Sequence, residues 1–158
     1  MTGTSHPGEL ASPQQMLALA DEYRLASDAL HKQRRMGEPL SLAPFRLTAI
    51  HAVELYLNAM LLACGREPAE IRGFGHDLSK RAALALTLGL KLRKGTVQHL
   101  DMLIVGREYL VSRYAPEVAG VASLQTNRML ATLKDVAEKT SAIVNAAKTK
   151  PRRAPLCR

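Results

Sequence analysis

Between Ser41 and Cys64 the chain reads SLAPFRLTAIHAVELYLNAMLLAC, and this segment constrains the fold more than any other. Phe45, Ile50, Val53, Leu57, Met60, Leu61 and Cys64 recur at helical spacing, and Leu47, Leu55 and Leu62 widen the stripe until little polar face is left. A helix this apolar is stable only near the centre of a domain, with other elements laid round it. Gly65 is placed to end it in the left-handed conformation.

The remaining segments are suited to surround such a helix. Ser12 followed by Pro13 predicts an N-cap and first helical residue. Met16, Leu19, Tyr23, Ala26 and Leu30 then recur at spacings of three and four, which predicts a helix to about Arg35. Gly37, Glu38 and Pro39 break the chain before the central helix, and REPAEIRGFGH follows it as a turn-like stretch. A third helix is expected from Asp77 to about Gly89, carrying Leu78, Ala82, Ala85 and Leu86. A fourth is expected from Thr96, read as its N-cap, to about Tyr114, with Pro116 closing it. The last runs from Glu117 or Ser123 to Ala147. No segment alternates with period two, and Ala, Leu, Lys, Arg and Glu dominate a chain that is only 4% aromatic. The expected fold is all-α, an up-and-down antiparallel bundle of about five helices spanning residues 12–147, because short connections make successive helices neighbours.

The 158 residues suffice for one self-supporting core. Cys64 and Cys157 do not form a disulfide framework, which favours a reducing compartment. MTGTSHPGELASP lacks the basic start and apolar core of a secretory signal, and no apolar stretch reaches the roughly 18 residues of a membrane span. A cytoplasmic location is expected, with residues 1–11 as a disordered lead-in.

The net charge of +8 is uneven. KTKPRRAPLCR, residues 148–158, holds Lys148, Lys150, Arg152, Arg153 and Arg158 without an acid, which leaves the rest of the chain near +3. Two readings fit this tail: a solvated end, or an arm that displaces counterions from nucleic-acid phosphates.

HAVELYLNAMLLACGREPAEIRGFGHDLSK, residues 51–80, resembles the HEPN family (higher eukaryotes and prokaryotes nucleotide-binding). An Ala-Val-Glu helix ends in a Leu-rich turn and Gly65, and after a short loop His76-Asp77-Leu78 opens the next helix. SRYAPE, residues 112–117, is similar to the Ser/Thr-Arg-Tyr-Pro segment closing a later helix of that family. The two motifs, with the segment between them, span residues 51–117, about two-fifths of the chain. It departs from the pattern where Asn58 replaces a lysine common among relatives, and where Ala115 separates Tyr114 from Pro116. The resemblance implies a four- or five-helix bundle, commonly homodimeric, linked to RNA or nucleotides, to toxin–antitoxin or antiviral systems, or to a minimal nucleotidyltransferase partner. A dimer also follows from the apolar width of residues 45–64, which could exceed what neighbouring helices cover.

Ribonuclease members of the family carry an Arg followed, after four to six residues, by His. Arg24/His31, Arg46/His51 and Arg93/His99 have that spacing, though 14 Arg and five His supply such pairs by chance. Seven steps of 100° put Arg24 and His31 on one face, while five put Arg46 and His51 about 140° apart. His51 and Glu54 share a face, as locked partners or as an acid–base pair, and His76 fits a cap network. Arg107, Arg113 and Tyr114 lie on or near one face, where Arg would fork a phosphate and Tyr would stack on a base. The scattered His and Cys offer no metal set, Gly73-Phe74-Gly75 is too short for a phosphate loop, and no cofactor is expected.

The expected function is therefore a HEPN-like module binding RNA or a nucleotide-related ligand through His51, Glu54, Arg107, Arg113 and Tyr114, aided by Lys148, Lys150, Arg152 and Arg153. The alternatives are a metal-independent endoribonuclease of the toxin type and a protein-binding partner of a nucleotidyltransferase.

Overall fold

The computed structural model describes residues 6–119 and 125–149, and among these it is all-α, with no strand. The helices are α1 (Pro13–Lys32), α2 (Ala43–Ala63), α3 (Pro68–Gly73), α4 (Leu78–Thr87), α5 (Lys94–Val105), α6 (Glu108–Tyr114), α7 (Pro116–Ala119) and α8 (Thr126–Thr149). A 3₁₀ turn, Pro39–Leu42, precedes α2.

Local chemistry sets most of these boundaries. Ser12 Oγ accepts from the Gln15 N–H at 3.1 Å, and Gln15 Oε1 accepts from the Ser12 N–H at 2.9 Å, a reciprocal cap that starts α1. At the end of α2, the N–H of Arg66 reaches the Leu61 carbonyl and that of Gly65 reaches Leu62. This closure needs a residue with positive φ, and Gly65 supplies it at 80°. Gly89 ends α4 in the same way.

Twelve residues of α2 are buried, from Phe45 to Leu61. Helices α1, α8, α6 and α4 pack round it, so the apolar surface expected to seek a second copy is covered by the chain's own helices. Helix α1 lies antiparallel to α2. His31 packs on Phe45, Tyr23 on His51, and the Tyr56 hydroxyl donates to Asp21, each contact stepping forward on one helix and back on the other. Helices α5 and α8 are likewise antiparallel, through Thr96–Asp135, His99–Thr132 and Met102–Arg128.

Where about five helices were expected, eight are present among the described residues. The turn-like stretch after α2 contains the single turn α3. The expected helix from Thr96 to Tyr114 is two helices, divided at Gly106 and Arg107, where Arg107 takes a left-handed conformation with φ 49°. The expected last helix is α7 and α8 among the described residues. Nor is Thr96 an N-cap: α5 starts at Lys94, and Arg93 precedes it with no side-chain cap of its own. A carboxylate from another helix does this work. Asp135 of α8 accepts from the Arg93 N–H at 3.0 Å and from Thr96 Oγ1 at 2.8 Å, with Lys139 Nζ at 2.8 Å and Arg93 Nε at 3.1 Å. Among the described residues, no helix is long and apolar enough to cross a membrane.

Burial alone would raise the Asp135 carboxyl. Hydrogen bonds from Lys139, the Arg93 N–H and Thr96, with the charge of Lys139, outweigh it and bring the group from 3.8 down to about 2. A carboxyl depressed by folding stabilises the protein above its unfolded value, and that stability is lost as pH falls towards its folded value. Denaturant titrations at pH near 5 and near 2 should therefore show wild type losing about 2 kcal/mol more than Asp135→Asn. Equal losses in the two proteins would contradict this role.

Candidate functional site

The polar residues of α2 fall on two lines. Arg46, only 4% exposed, projects towards α6 and pairs with Glu108. His51, Glu54 and Asn58, at steps of three and four, form a second stripe facing the start of α4 and the body of α6. Two charged groups from outside α2 meet it.

Arg81 of α4 is the deeper of these, its side chain 3% exposed. Its Nη2 lies 3.2 Å from Glu54 Oε1, and its Nε donates to Asn58 Oδ1 at 2.8 Å. Longer contacts reach the carbonyls of Ile71 and Asp77, and the guanidinium lies over the Phe74 ring. A lysine at 58 would set a second cation against this buried one, whereas the Asn58 carbonyl oxygen accepts from it. Burial lowers the Arg81 pKa, opposed by the charges of Glu54 and Asp77.

His76 is the shallower group. It stands immediately before the N-cap Asp77, whose side chain accepts from the Lys80 N–H and starts α4. His76 itself takes no part in that cap. Its Nδ1 lies 3.2 Å from Glu54 Oε2, and its ring packs on Tyr109 at 4.8 Å. The Glu54 carboxylate thus bridges a buried guanidinium and a half-exposed imidazole.

His51 and Glu54 do not bond to each other. His51 packs edge-on against Tyr23 at 4.4 Å. Burial depresses its pKa; Glu54 pulls it up, and Arg113 and His76 push it down again, leaving it below 6.5. Its neutral form prevails at neutral pH. Arg113 is exposed and makes no ion pair among the described residues.

The site residues expected from sequence thus divide. His51, Glu54 and Arg113 come together. Tyr114, 74% exposed, follows Arg113 at the end of α6. Arg107 lies outside the regular helix, at the α5–α6 corner, because the helix that would have aligned it with Arg113 is broken there. Lys148 is exposed in the last turn of α8, and Lys150, Arg152 and Arg153 lie outside the described residues. Arg81, Asn58, His76 and Tyr109 complete the cluster. The spacing of Asn58 four residues after Glu54 was the available signal, since two adjacent polar groups on so apolar a helix need a partner.

The three Arg–His pairs are held in other work. His99, 1% exposed, bonds Thr132 and is pushed down to about 4 by burial and by Arg128 and Arg46, while Arg93 reaches Asp135. Arg46 pairs with Glu108 while His51 packs on Tyr23, and His31 packs on Phe45. No group of three His, Cys, Asp or Glu among the described residues is placed to hold a metal ion. Compared with protein-family models, curated proteins and solved structures, the chain matches none.

The electrostatics of His51 can be read directly. In a proton NMR titration its ring signals should shift with a midpoint below 6.5, and Arg113→Gln should move that midpoint upwards by removing a like charge. A wild-type midpoint at or above 6.5 would contradict the burial described.

Proposed function

We propose that the protein is a HEPN-like binding module for RNA or a nucleotide-related ligand, acting without strong catalysis. The observation carrying this reading is the exposed Arg113 guanidinium, without a carboxylate partner among the described residues, beside the neutral His51 ring and the packed His76–Tyr109 pair. A guanidinium fork takes phosphate oxygens in two parallel hydrogen bonds, and aromatic faces take bases. Beneath these groups, the Glu54–Arg81 pair is already neutralised and buried, so it holds the stripe in place without competing for the ligand. The residues quoted for the family resemblance, Glu54, His76 and Arg113, belong to this cluster.

A second reading, a metal-independent endoribonuclease, draws on one contact. Glu54 behind Nδ1 leaves the other nitrogen of the half-exposed His76 ring free to take a proton from a ribose hydroxyl, as a carboxylate-oriented histidine does in hydrolases. The homodimer and the nucleotidyltransferase partner rest on the resemblance, since the apolar face of α2 is filled within one chain.

Titration of labelled single-stranded RNA and of adenosine monophosphate separates these readings. Arg113→Gln should weaken binding of the preferred ligand about tenfold, as expected for losing a charge-assisted fork worth about 1.4 kcal/mol. His76→Gln should leave folding intact and weaken binding by about fivefold or more, because one of the two packed rings is lost. Unchanged affinity in Arg113→Gln would remove the proposal. Reproducible cleavage of RNA in EDTA, abolished by His76→Gln, would replace it with the enzyme reading.

A further inference from the structure

A groove of about 250 Å³ runs between the start of α5 and the first half of α8, on elements separate from the α2 stripe. It is lined by Arg93, Gly95, Thr96, Arg128, Ala131 and Thr132. Arg128 is its unusual member. It is half-buried, yet its guanidinium meets only the Met102 thioether, at 3.3 Å, among the described residues. Thioether sulfur is a weak acceptor, and a guanidinium carries five N–H donors. Most of this group's hydrogen-bonding capacity therefore has no acceptor among the described residues, and its charge has no carboxylate counterpart among them.

Arg128 does not stand alone. At 100° per residue, Lys139 lies within about 20° of Arg128 round α8 and about 16 Å further along the axis. Arg93 enters between them: its side chain is 60% exposed, its Nη2 reaches the Ala131 carbonyl at 3.4 Å, and its Nε reaches Asp135. Lys94 follows it on exposed surface. The carboxylate within this row, Asp135, is 3% exposed and spent on Arg93, Lys139, Thr96 and the start of α5. The other acids of the two helices stand apart. Glu138 lies about 80° round α8 from Arg128 and approaches Lys134 at 3.9 Å, and Asp101 lies on the exposed surface of α5. Arg93 Nε and Lys139 Nζ converge on one oxygen of Asp135, so the groove and its margin hold three cations against one buried carboxylate.

We propose that this groove is a track for the sugar–phosphate backbone of a nucleic acid, with Arg128 and Arg93 as phosphate contacts within it and Lys139 at its margin. It deepens the reading that the protein binds RNA, and it rests on that reading for its ligand. Charge favours a polyanion, since Arg128, Arg93 and Lys139 set three cations against the single carboxylate of Asp135. Contacts of this kind carry no base preference. They add affinity and salt dependence, while the stacking and forking groups near His51 would discriminate between bases.

The test is a fluorescence anisotropy titration of full-length protein with a labelled oligouridine over a range of salt. Each phosphate contact contributes about 0.7 to the slope of log affinity against log salt for single strands, which is about fivefold in affinity at about 0.1 M relative to 1 M. Arg128→Gln should flatten the slope by about 0.7, and Arg128→Gln with Lys139→Gln by about 1.4. Arg128→Lys should retain the wild-type slope, and Lys32→Gln, an exposed cation at the end of α1, should match it too. Because the Arg128 guanidinium hydrogen-bonds only the Met102 sulfur among the described residues, Arg128→Gln should melt within a few degrees of wild type, so loss of binding is separable from loss of fold. Equal weakening by Lys32→Gln and Arg128→Gln would reduce the effect to overall charge and overturn the track. A wild-type slope in Arg128→Gln, with binding still sensitive to Arg113→Gln, would overturn the track and leave the RNA reading standing. Failure of wild type to bind any oligonucleotide, with adenosine monophosphate still bound, would overturn the track and confine the reading above to nucleotides.

Discussion

Everything in this molecule is arranged round a helix with almost no water-facing side. Because α2 is apolar on most of its circumference, the chain must wrap it, and α1, α4, α6 and α8 do so. Wrapping strands the few polar side chains of α2 where water is scarce, and a buried polar group costs free energy unless it is paired. Thr48 turns back on carbonyls of its own helix, and the others are met from other elements: Arg46 by Glu108, His51 by Tyr23, Glu54 by Arg81 and His76, and Asn58 by Arg81. The partners of the α2 stripe come from α1, the start of α4 and α6, and the corner where those elements converge is the candidate site. Site and core are thus consequences of one packing problem.

That problem was largely legible in the sequence. The spacing of apolar residues locates α1, α2, α4 and the body of α8, and Ser12-Pro13, Gly65, Asp77 and Gly89 mark their ends, because caps and left-handed stops are local chemistry. What misled was also local. Thr96 has the residue type and position of an N-cap, yet α5 is capped by Asp135 from a different helix, a contact no local pattern reveals. The α5–α6 break needed a non-glycine residue, Arg107, to adopt positive φ, against the usual preference, so the apolar spacing ran on past it. In the site, Glu54 and His51 were visible as neighbours on one face. Their pairing was not, since it depends on Arg81 and His76, more than twenty residues away.

The α2 stripe and the α5–α8 groove use arginine in contrasting ways. Arg81 is buried and fully engaged, and it fixes the geometry of its neighbours. Arg113 and Arg128 retain donors that the described protein does not occupy. Burying an ion pair seldom adds net stability compared with an apolar pair of the same shape, but removing one partner leaves a charge in a dry place and is costly. Such a pair therefore acts as a register device: α4 packs on α2 in the one position that lets Arg81 reach both Glu54 and Asn58, and this position also delivers His76 to Glu54.

The most direct test of this account is a double-mutant cycle on that pair, read by denaturant unfolding. Glu54→Leu and Arg81→Leu should each lose about 3–5 kcal/mol, because each strands its partner in the interior. The double variant should lose at least about 2 kcal/mol less than the sum of the two, because it leaves neither charge behind. Single losses that add to within about 0.5 kcal/mol would show that the two groups do not depend on one another, and the claim that this contact fixes α4 on α2 would fail.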